Sequence, residues 1–313
     1  MIQCHIIDVY FCSVREVGMK RNIREISAKT LLSFRGRPGS WFGVSGTMNI
    51  YRGCSHGCIY CDSRSLCYGA NDFDREIQVK ANYLDLFPRE LAARGRGGVI
   101  SFGSMSDCYM PVEEKLCCTR RSLEVLRDRR YPVFILTKSD LVLRDLDLFT
   151  AIAKDTWACV AFTVTTSDDS LAAIVEPGAS SPTRRFRAMK ALSRAGILTG
   201  TLIMPLLPFI QDSESSLSAI IHKTALSGGS FLVPSLGMTL RDRQRDYFFE
   251  KLDIHFPGLR QKYVQTYGLR YDCAVPRADF LMKHVLSECS ERGLKTEMPI
   301  RRTLSSSLQM GMF

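Results

Sequence analysis

The sequence has no apolar run long enough to cross a membrane, because a spanning helix needs about 20 such residues. The apolar stretch at its start is interrupted by Asp8 and follows no basic leader, which argues against a secretory signal. Twelve cysteines among 313 residues are too few for a disulfide scaffold, and only one group of them is tightly spaced. These absences predict a cytoplasmic protein with no membrane partner.

Acidic residues are outnumbered by basic ones. Forty-two Lys and Arg against 32 Asp and Glu leave a formal charge of +10. An excess of positive charge attracts phosphate-bearing molecules over a long range. Apolar residues make up 45% of the chain and charged residues 24%, a balance that allows a large buried core. The composition thus predicts a globular protein and favours a nucleic-acid or nucleotide-like partner.

From about Trp41, short apolar runs alternate with longer amphipathic stretches, which is typical of repeated β–α units around a parallel sheet. Strands are predicted at 44–50, 98–103, 132–137, 158–165, 197–204 and 230–236. Helices are predicted near 82–94, 113–129, 140–154, 183–195 and 213–226. Six such units indicate an α/β fold, a partial (β/α)6 TIM-like barrel, whose functional residues are expected at the C-terminal ends of the strands.

The alternation stops at about residue 237. Residues 238–300 have the pattern of two or three helices rich in aromatic and basic side chains, which would either stack on bases or fill the open side of the barrel. We therefore expect a basic N-terminal segment at 1–40 and the barrel at 41–237. A helical C-terminal extension at 238–313 is expected to pack on the barrel.

Three closely spaced cysteines follow the first predicted strand. Cys54, Cys58 and Cys61 have the spacing C-x3-C-x2-C. Iron–sulfur clusters are normally held by four cysteines, so a set of three leaves one iron free to bind another ligand. A zinc site is the alternative, but zinc motifs usually include a second Cys or His pair, and none with regular spacing is evident downstream. The pattern favours a [4Fe–4S] cluster.

This cysteine motif resembles the signature of the radical S-adenosylmethionine (SAM) superfamily. The resemblance implies that the amino and carboxylate groups of SAM chelate the open iron, and that Tyr60 contacts the adenine. It implies that one electron from the reduced cluster cleaves SAM to methionine and a 5′-deoxyadenosyl radical, which abstracts a substrate hydrogen. An electron donor such as flavodoxin or ferredoxin would supply that electron.

Later segments resemble the spore photoproduct lyase branch of this superfamily. They are Ser104-Met-Ser-Asp-Cys-Tyr-Met-Pro-Val-Glu113, Thr137-Lys-Ser139, Phe162-Thr-Val-Thr, Glu176-Pro-Gly-Ala-Ser-Ser and Met204-Pro-Leu-Leu-Pro-Phe. The resemblance implies that Lys138 faces the SAM carboxylate as a compact cation. The full set of residues expected to bind the cofactor is Tyr60, Ser104, Ser106, Lys138, Thr163 and Arg185. Asp107 is expected to orient its loop, and Glu176 to pair with Arg185.

Ser104 departs from the pattern of this branch, because photoproduct lyases use a cysteine as hydrogen donor at the matching position. The O–H bond of serine is too strong to quench a carbon radical easily. Cys108 in the same loop and Cys273 in the extension are the alternative candidates. The departure favours bond fragmentation or salvage over repair of the thymine-dimer product itself.

The function predicted first is a radical SAM lyase that acts on a nucleoside or nucleic acid. Its two versions are the repair of damaged DNA and the salvage of a modified base, such as queuine from queuosine. One alternative is radical modification of a peptide or protein. Another is a non-enzymatic cluster or zinc protein that binds nucleic acid, which the Ser106 and Lys138 matches argue against.

Overall fold

The computed structural model describes residues 22–34, 43–69, 73, 76–94 and 98–298. The strands are β1 Asn22–Ile26, β2 Leu32–Phe34, β3 Gly46–Met48, β4 Tyr51–Arg52, β5 Glu76–Lys80, β6 Ile100–Phe102, β7 Val133–Thr137, β8 Ala158–Thr163, β9 Leu198–Ile203, β10 Phe231–Pro234, β11 Gly237–Thr239 and β12 Asp272–Ala274. The helices are α1 Tyr83–Arg94, α2 Glu113–Leu116, α3 Cys118–Asp128, α4 Leu146–Asp155, α5 Asp169–Val175, α6 Pro182–Arg194, α7 Glu214–Leu226, α8 Asp242–His255, α9 Leu259–Tyr267 and α10 Ala278–Glu291. Turns of 3₁₀ helix lie at Asp62–Arg64, Leu66–Tyr68 and Asp140–Asp145.

The central sheet has the order β10-β9-β8-β7-β6-β3-β2. All its pairs are parallel except β2 with β3. Helices cross between successive parallel strands and cover the sheet, so its middle strands are apolar on both faces. All six residues of β8 are buried, for example. This arrangement confirms the predicted partial (β/α)6 barrel, and each of the six predicted strands is present.

Some elements differ from the predictions. The helix expected at 113–129 is divided into α2 and α3, because Cys117 adopts a left-handed conformation with φ of 51° that a helix cannot contain. The pattern also missed α5 and two small sheets, β1-β5-β4 and β11-β12, whose strands have two to five residues. Such short strands depend on long-range pairing more than on local sequence.

The outer parts of the chain are described in part. Of the segment predicted at 1–40, residues 1–21 and 35–40 lie outside the described residues. The boundary expected after residue 237 falls inside β11, and the division into three segments stays a prediction. Within the described ranges, no helix is both long and apolar enough to cross a bilayer.

Three helices, α8 to α10, form the larger part of the described portion of the C-terminal extension, residues 238–298. The aromatic side chains of Phe248, Phe249, Tyr263 and Tyr267 are buried, in one apolar cluster with Cys58, Ile59 and Tyr60 of the cysteine segment. These aromatic rings therefore fill the space between the extension and the cysteine segment and are not open to bases.

Replacing Phe248 with Ala should destabilise the protein by about 3–5 kcal/mol, because this fully buried side chain would leave a cavity. Its ring centroid lies 5.3 Å from that of Tyr263 in an edge-to-face arrangement. Ile254→Ala is the control on the same helix: that side chain is 58% exposed, and its loss should change stability by less than about 0.5 kcal/mol. Urea denaturation measures both, and equal midpoints would contradict the packing argument.

Candidate active site

The cysteine segment begins directly after β4, at a tight bend. Gly53 has φ of 84°, and a Cβ atom there would lie 2.3 Å from the carbonyl oxygen of Glu76. Only glycine tolerates both the conformation and the close approach. Cys54 and Cys58 are buried and Cys61 is partly exposed, and all three are free thiols. The bend thus leads directly into a segment with three unpaired cysteines, two of which are buried.

The turn after α5 packs against this segment through backbone contacts. The amide of Ile59 donates to the carbonyl of Val175 over 3.0 Å, and the amide of Gly178 donates to the carbonyl of His56 over 2.8 Å. A Cβ atom on Gly178 would lie 2.4 Å from the carbonyl oxygen of Ser55. The cysteine segment is therefore held by the chain between β8 and α6.

A buried ion pair anchors that turn. Nη2 of Arg185 lies 2.5 Å from Oε2 of Glu176, and both side chains are 1% exposed. Nε of Arg185 also donates to the Ser180 carbonyl over 2.7 Å, and Nη1 donates to the Thr163 carbonyl over 2.8 Å. The expected pairing is confirmed. Since three nitrogens of Arg185 already have protein acceptors, its predicted contact with SAM stays a prediction.

Hydrogen bonds connect this ion pair to Tyr60, the aromatic residue before the last cysteine. The hydroxyl of Tyr60 donates to Glu176, and that of Thr165 donates to the same carboxylate over 3.4 Å. Burial alone would raise the pKa of Glu176, but Arg185, Lys138 and the Tyr60 hydroxyl outweigh it and hold the pKa below its ordinary value. Glu176 is therefore ionised at neutral pH and fixes the ring of Tyr60.

Lys138 follows β7 at the same end of the sheet. Its ammonium lies 5.8 Å from the centroid of the Tyr60 ring. Burial would lower the pKa of Lys138, but Cys58, Glu176 and Asp107 raise it above the ordinary value. A charged ammonium group therefore lies near both the cysteine segment and Glu176, where it can bind a carboxylate.

The loop after β6 carries two of the predicted serines. Ser104 is exposed, and its hydroxyl donates to the amide oxygen of Asn49 over 3.4 Å. Ser106 is 6% exposed, and Asp107 beside it accepts hydrogen bonds from Lys138 N and Thr137 Oγ1. Asp107 thus joins the ends of two strands, which agrees with its expected orienting role.

The remaining predicted residues are buried. Thr163 ends β8, is 3% exposed and accepts from Arg185 through its carbonyl. Cys108 is 4% exposed and belongs to the main apolar core. Cys273 is 1% exposed in β12 and shares the smaller apolar cluster with Cys58 and Tyr60. Burial raises the pKa of both thiols, so each is a neutral S–H group at neutral pH.

The three cysteines are close enough to influence one another's ionisation, and a set of three thiols can supply ligands to an iron–sulfur cluster. Burial, together with the neighbouring charges of Asp107 and Cys61, raises the pKa of Cys54 to about 12. The pKa of Cys58 is raised by burial and by both other cysteines. The Ser55 hydroxyl in this segment is buried without a hydrogen-bond partner, so a bound group with acceptor atoms would satisfy it.

A site for a single metal ion would need at least three ligand side chains that point to one place. Among the described residues, no group of three His, Cys, Asp or Glu side chains is placed to hold one ion together. A cluster needs its thiolates at separate irons. The lack of a single-ion site among the described residues is therefore compatible with a cluster bound by three separate thiolates.

Several residues that support the site were missed in the sequence. His56 is 2% exposed between two of the cysteines, and its position inside the motif was an available signal. Gln244, on α8, is fully buried and donates to the carbonyl of Tyr60 over 3.1 Å. Nη2 of Arg64 donates to the Cys58 carbonyl over 3.2 Å. Nothing local in the sequence marks Gln244, because its partner lies 184 residues away.

Comparison with known proteins places these residues in a family. The model of the radical SAM superfamily matches residues 48–217. An uncharacterized protein of Methanocaldococcus jannaschii is 34% identical over 200 residues, which are 63% of this chain and 73% of that protein. An uncharacterized protein of Mycobacterium tuberculosis is 30% identical over 227 residues, 71% of this chain. The match covers 66% of the mycobacterial protein, just under two thirds of its length.

Solved structures of spore photoproduct lyase have a similar fold. Its complex with a dinucleoside spore photoproduct superimposes with a TM-score of 0.67 and 17% sequence identity, covering 87% of this chain and 81% of the lyase. A cysteine-to-serine mutant of the same enzyme also gives a TM-score of 0.67, at 16% identity and with the same coverage of both chains. At this level of identity the similarity is one of fold.

Proposed function

Since the chain belongs to the radical SAM superfamily and is a radical SAM enzyme with a [4Fe–4S] cluster and SAM as cofactors, we propose that Cys54, Cys58 and Cys61 hold that cluster. The observation that carries this proposal is a segment of three free thiols, two of them buried, with the ammonium group of Lys138 5.8 Å from the ring of Tyr60 in the same segment. When bound, the cluster and SAM supply a 5′-deoxyadenosyl radical. The electron would come from a flavodoxin- or ferredoxin-like donor.

The residues around the cysteines have separate tasks in binding SAM. Lys138 supplies a positive charge for the carboxylate of SAM, and a cation on a half-buried residue does so more strongly than one on an exposed residue. Tyr60 supplies an aromatic face whose angle Glu176 fixes. Ser104, Ser106 and Thr163 lie at neighbouring strand ends and offer hydroxyl groups to the same ligand. Arg185 acts through the Glu176 carboxylate and the Thr163 carbonyl.

The proposed substrate is a nucleoside or a nucleic acid, and the proposed reaction is a lyase reaction started by hydrogen abstraction. The fold similarity to an enzyme whose structure holds a dinucleoside and the charge of +10 support this class. Cys273 is favoured over Cys108 as hydrogen donor, because it shares a cluster with Cys58 and Tyr60, whereas Cys108 lies in the main core. DNA repair and modified-nucleoside salvage are the two versions of this proposal.

Replacing any one of the three cysteines with Ala should abolish both the cluster and SAM cleavage. Iron and sulfide analysis after anaerobic reconstitution measures the first, and the yield of 5′-deoxyadenosine measures the second. Cys67→Ala is the matched control, because Cys67 is an exposed thiol six residues beyond Cys61 and should be dispensable for iron binding. A Cys58→Ala protein with full iron content and activity would refute the assignment.

Changing Lys138 to Ala should weaken SAM binding about 10- to 100-fold, because a charge-assisted hydrogen bond contributes about 1.5–3 kcal/mol. The cluster should form normally, since the backbone amide of Lys138 that binds Asp107 is retained. Anaerobic equilibrium dialysis measures the affinity, with Lys154→Ala as an exposed control on α4. An unchanged dissociation constant for SAM would remove Lys138 from the site.

The substrate class is tested by measuring 5′-deoxyadenosine with dithionite, SAM and candidate substrates. We expect modified nucleosides or damaged oligonucleotides to raise the rate above that without substrate, and acidic peptides to have no effect. If the substrate is DNA, binding should weaken steeply with salt, whereas a small nucleoside should bind almost independently of salt. Stimulation by peptides alone would contradict the nucleoside proposal.

A further inference from the structure

The carboxylate of Asp107 gathers hydrogen-bonding groups from three segments of the chain. Oδ1 accepts from the amide of Tyr109 over 2.9 Å and from the hydroxyl of Thr137 over 2.8 Å. Oδ2 accepts from the amide of Lys138 over 2.6 Å and lies 3.4 Å from Nδ1 of His56. The side chain of Asp107 is therefore shared by the β6 loop, the end of β7 and the cysteine segment.

The cysteine segment meets this carboxylate next to the first cysteine. His56 follows Cys54 by two residues, and its Nδ1 lies 3.4 Å from Oδ2 of Asp107. The charge near an iron–sulfur cluster is one of the features by which proteins set its reduction potential. Asp107 thus places a carboxylate beside the segment that carries Cys54, while the same carboxylate binds the backbone amide of Lys138.

Asp107 is saturated by these contacts. Both carboxylate oxygens accept a backbone N–H, and the residue is 9% exposed. His56 is itself 2% exposed, so its contact with Oδ2 of Asp107 is also shielded from solvent. Because the carboxylate of Asp107 is already bound by protein groups, it would affect bound SAM only indirectly, through Lys138 and Cys54.

We propose that Asp107 is a positioning residue that fixes Cys54 of the cluster and Lys138 of the SAM site in one rigid arrangement. The proposal rests on the assignment of Cys54 as a cluster ligand and of Lys138 as a SAM ligand. It adds that these two groups are coupled through one carboxylate, so that a change at Asp107 alters the cluster and the SAM affinity together. Residues that orient metal ligands in this way commonly change affinity or activity 10- to 100-fold when replaced.

An Asp107→Asn substitution keeps the shape of the side chain but removes part of its capacity to accept hydrogen bonds. The amide group has one acceptor oxygen and one NH₂ donor. Because the fixed amides of Tyr109 and Lys138 approach opposite oxygens, either orientation of an asparagine side chain places its NH₂ against a backbone N–H. The isosteric variant therefore cannot reproduce the arrangement, and one of the two strand-end contacts is lost.

Asp107→Asn should bind iron but show a shifted cluster potential and about a 10- to 100-fold loss of SAM affinity. Anaerobic spectroelectrochemical titration gives the potential, and equilibrium dialysis gives the dissociation constant of SAM. Asp145→Asn is the matched control: Asp145 is a fully buried carboxylate that binds Tyr109, Arg120 and Arg144. The control should lower stability and leave both readouts unchanged. Wild-type values of both in Asp107→Asn would overturn the proposal.

A milder pair of variants covers the case in which Asp107→Asn does not fold. Thr137→Val removes the hydroxyl that donates to Oδ1 while keeping the shape of the side chain, and Thr137→Ser restores the hydroxyl. We expect Thr137→Val to shift the potential and the SAM affinity in the same direction by a smaller factor, and Thr137→Ser to return both toward the wild-type values. A Thr137→Val protein indistinguishable from wild type in both readouts would count against the coupling.

A measurement on iron-free protein distinguishes a failure of this proposal from a failure of the cluster assignment. Mass spectrometry after brief iodoacetamide treatment reports the alkylation of Cys54, with the fully buried Cys159 as an internal measure of unfolding. Loss of the Asp107 contacts should accelerate Cys54 alkylation about tenfold at unchanged Cys159, because one strong hydrogen bond fewer holds the segment closed. Equal Cys54 rates in wild type and variant would contradict the positioning role, even if the wild type takes up no cluster and the ligand assignment fails separately.

Discussion

The buried pair of Glu176 and Arg185 is the interaction on which the rest of the site depends. An ion pair in the interior is stable only when its remaining hydrogen-bonding groups are satisfied. Here Arg185 also binds the carbonyls of Ser180 and Thr163, while Glu176 accepts from Tyr60 and Thr165. The pair thereby fixes the end of β8, the start of α6 and the aromatic residue of the cysteine segment. Any ligand between these elements meets an arrangement that is already rigid.

The parallel sheet explains why residues far apart in the chain meet at this place. Parallel strands present their C-terminal ends at one edge, and the loops that follow β6, β7 and β8 carry Ser106, Lys138 and Thr165 to the same edge. The extension contributes from the other side, where Gln244 of α8 binds the Tyr60 carbonyl and aromatic rings pack on Cys58. The barrel provides the polar groups, and the extension closes the apolar side.

Radical chemistry explains why the residues around the cysteines are largely buried. A reactive carbon radical must meet its substrate before it meets water or a stray thiol, so the protein contributes position and exclusion of solvent. Cys108 and Cys273 are neutral buried thiols, and Ser104 is exposed in the loop after β6. The radical SAM character is common to the family, whereas the fate of the substrate radical depends on which S–H group, if any, can reach it.

The sequence by itself determined the chemistry and the layered fold. The spacing of Cys54, Cys58 and Cys61 indicated the cluster, and six apolar runs separated by amphipathic stretches predicted the parallel strands, because both signals are local. Only the tertiary structure decided that the expected Glu176–Arg185 pair is almost fully buried, that Cys117 breaks a predicted helix and that Gln244 supports Tyr60. These features depend on contacts between distant segments, and neither composition nor periodicity records which distant groups will meet when the chain folds.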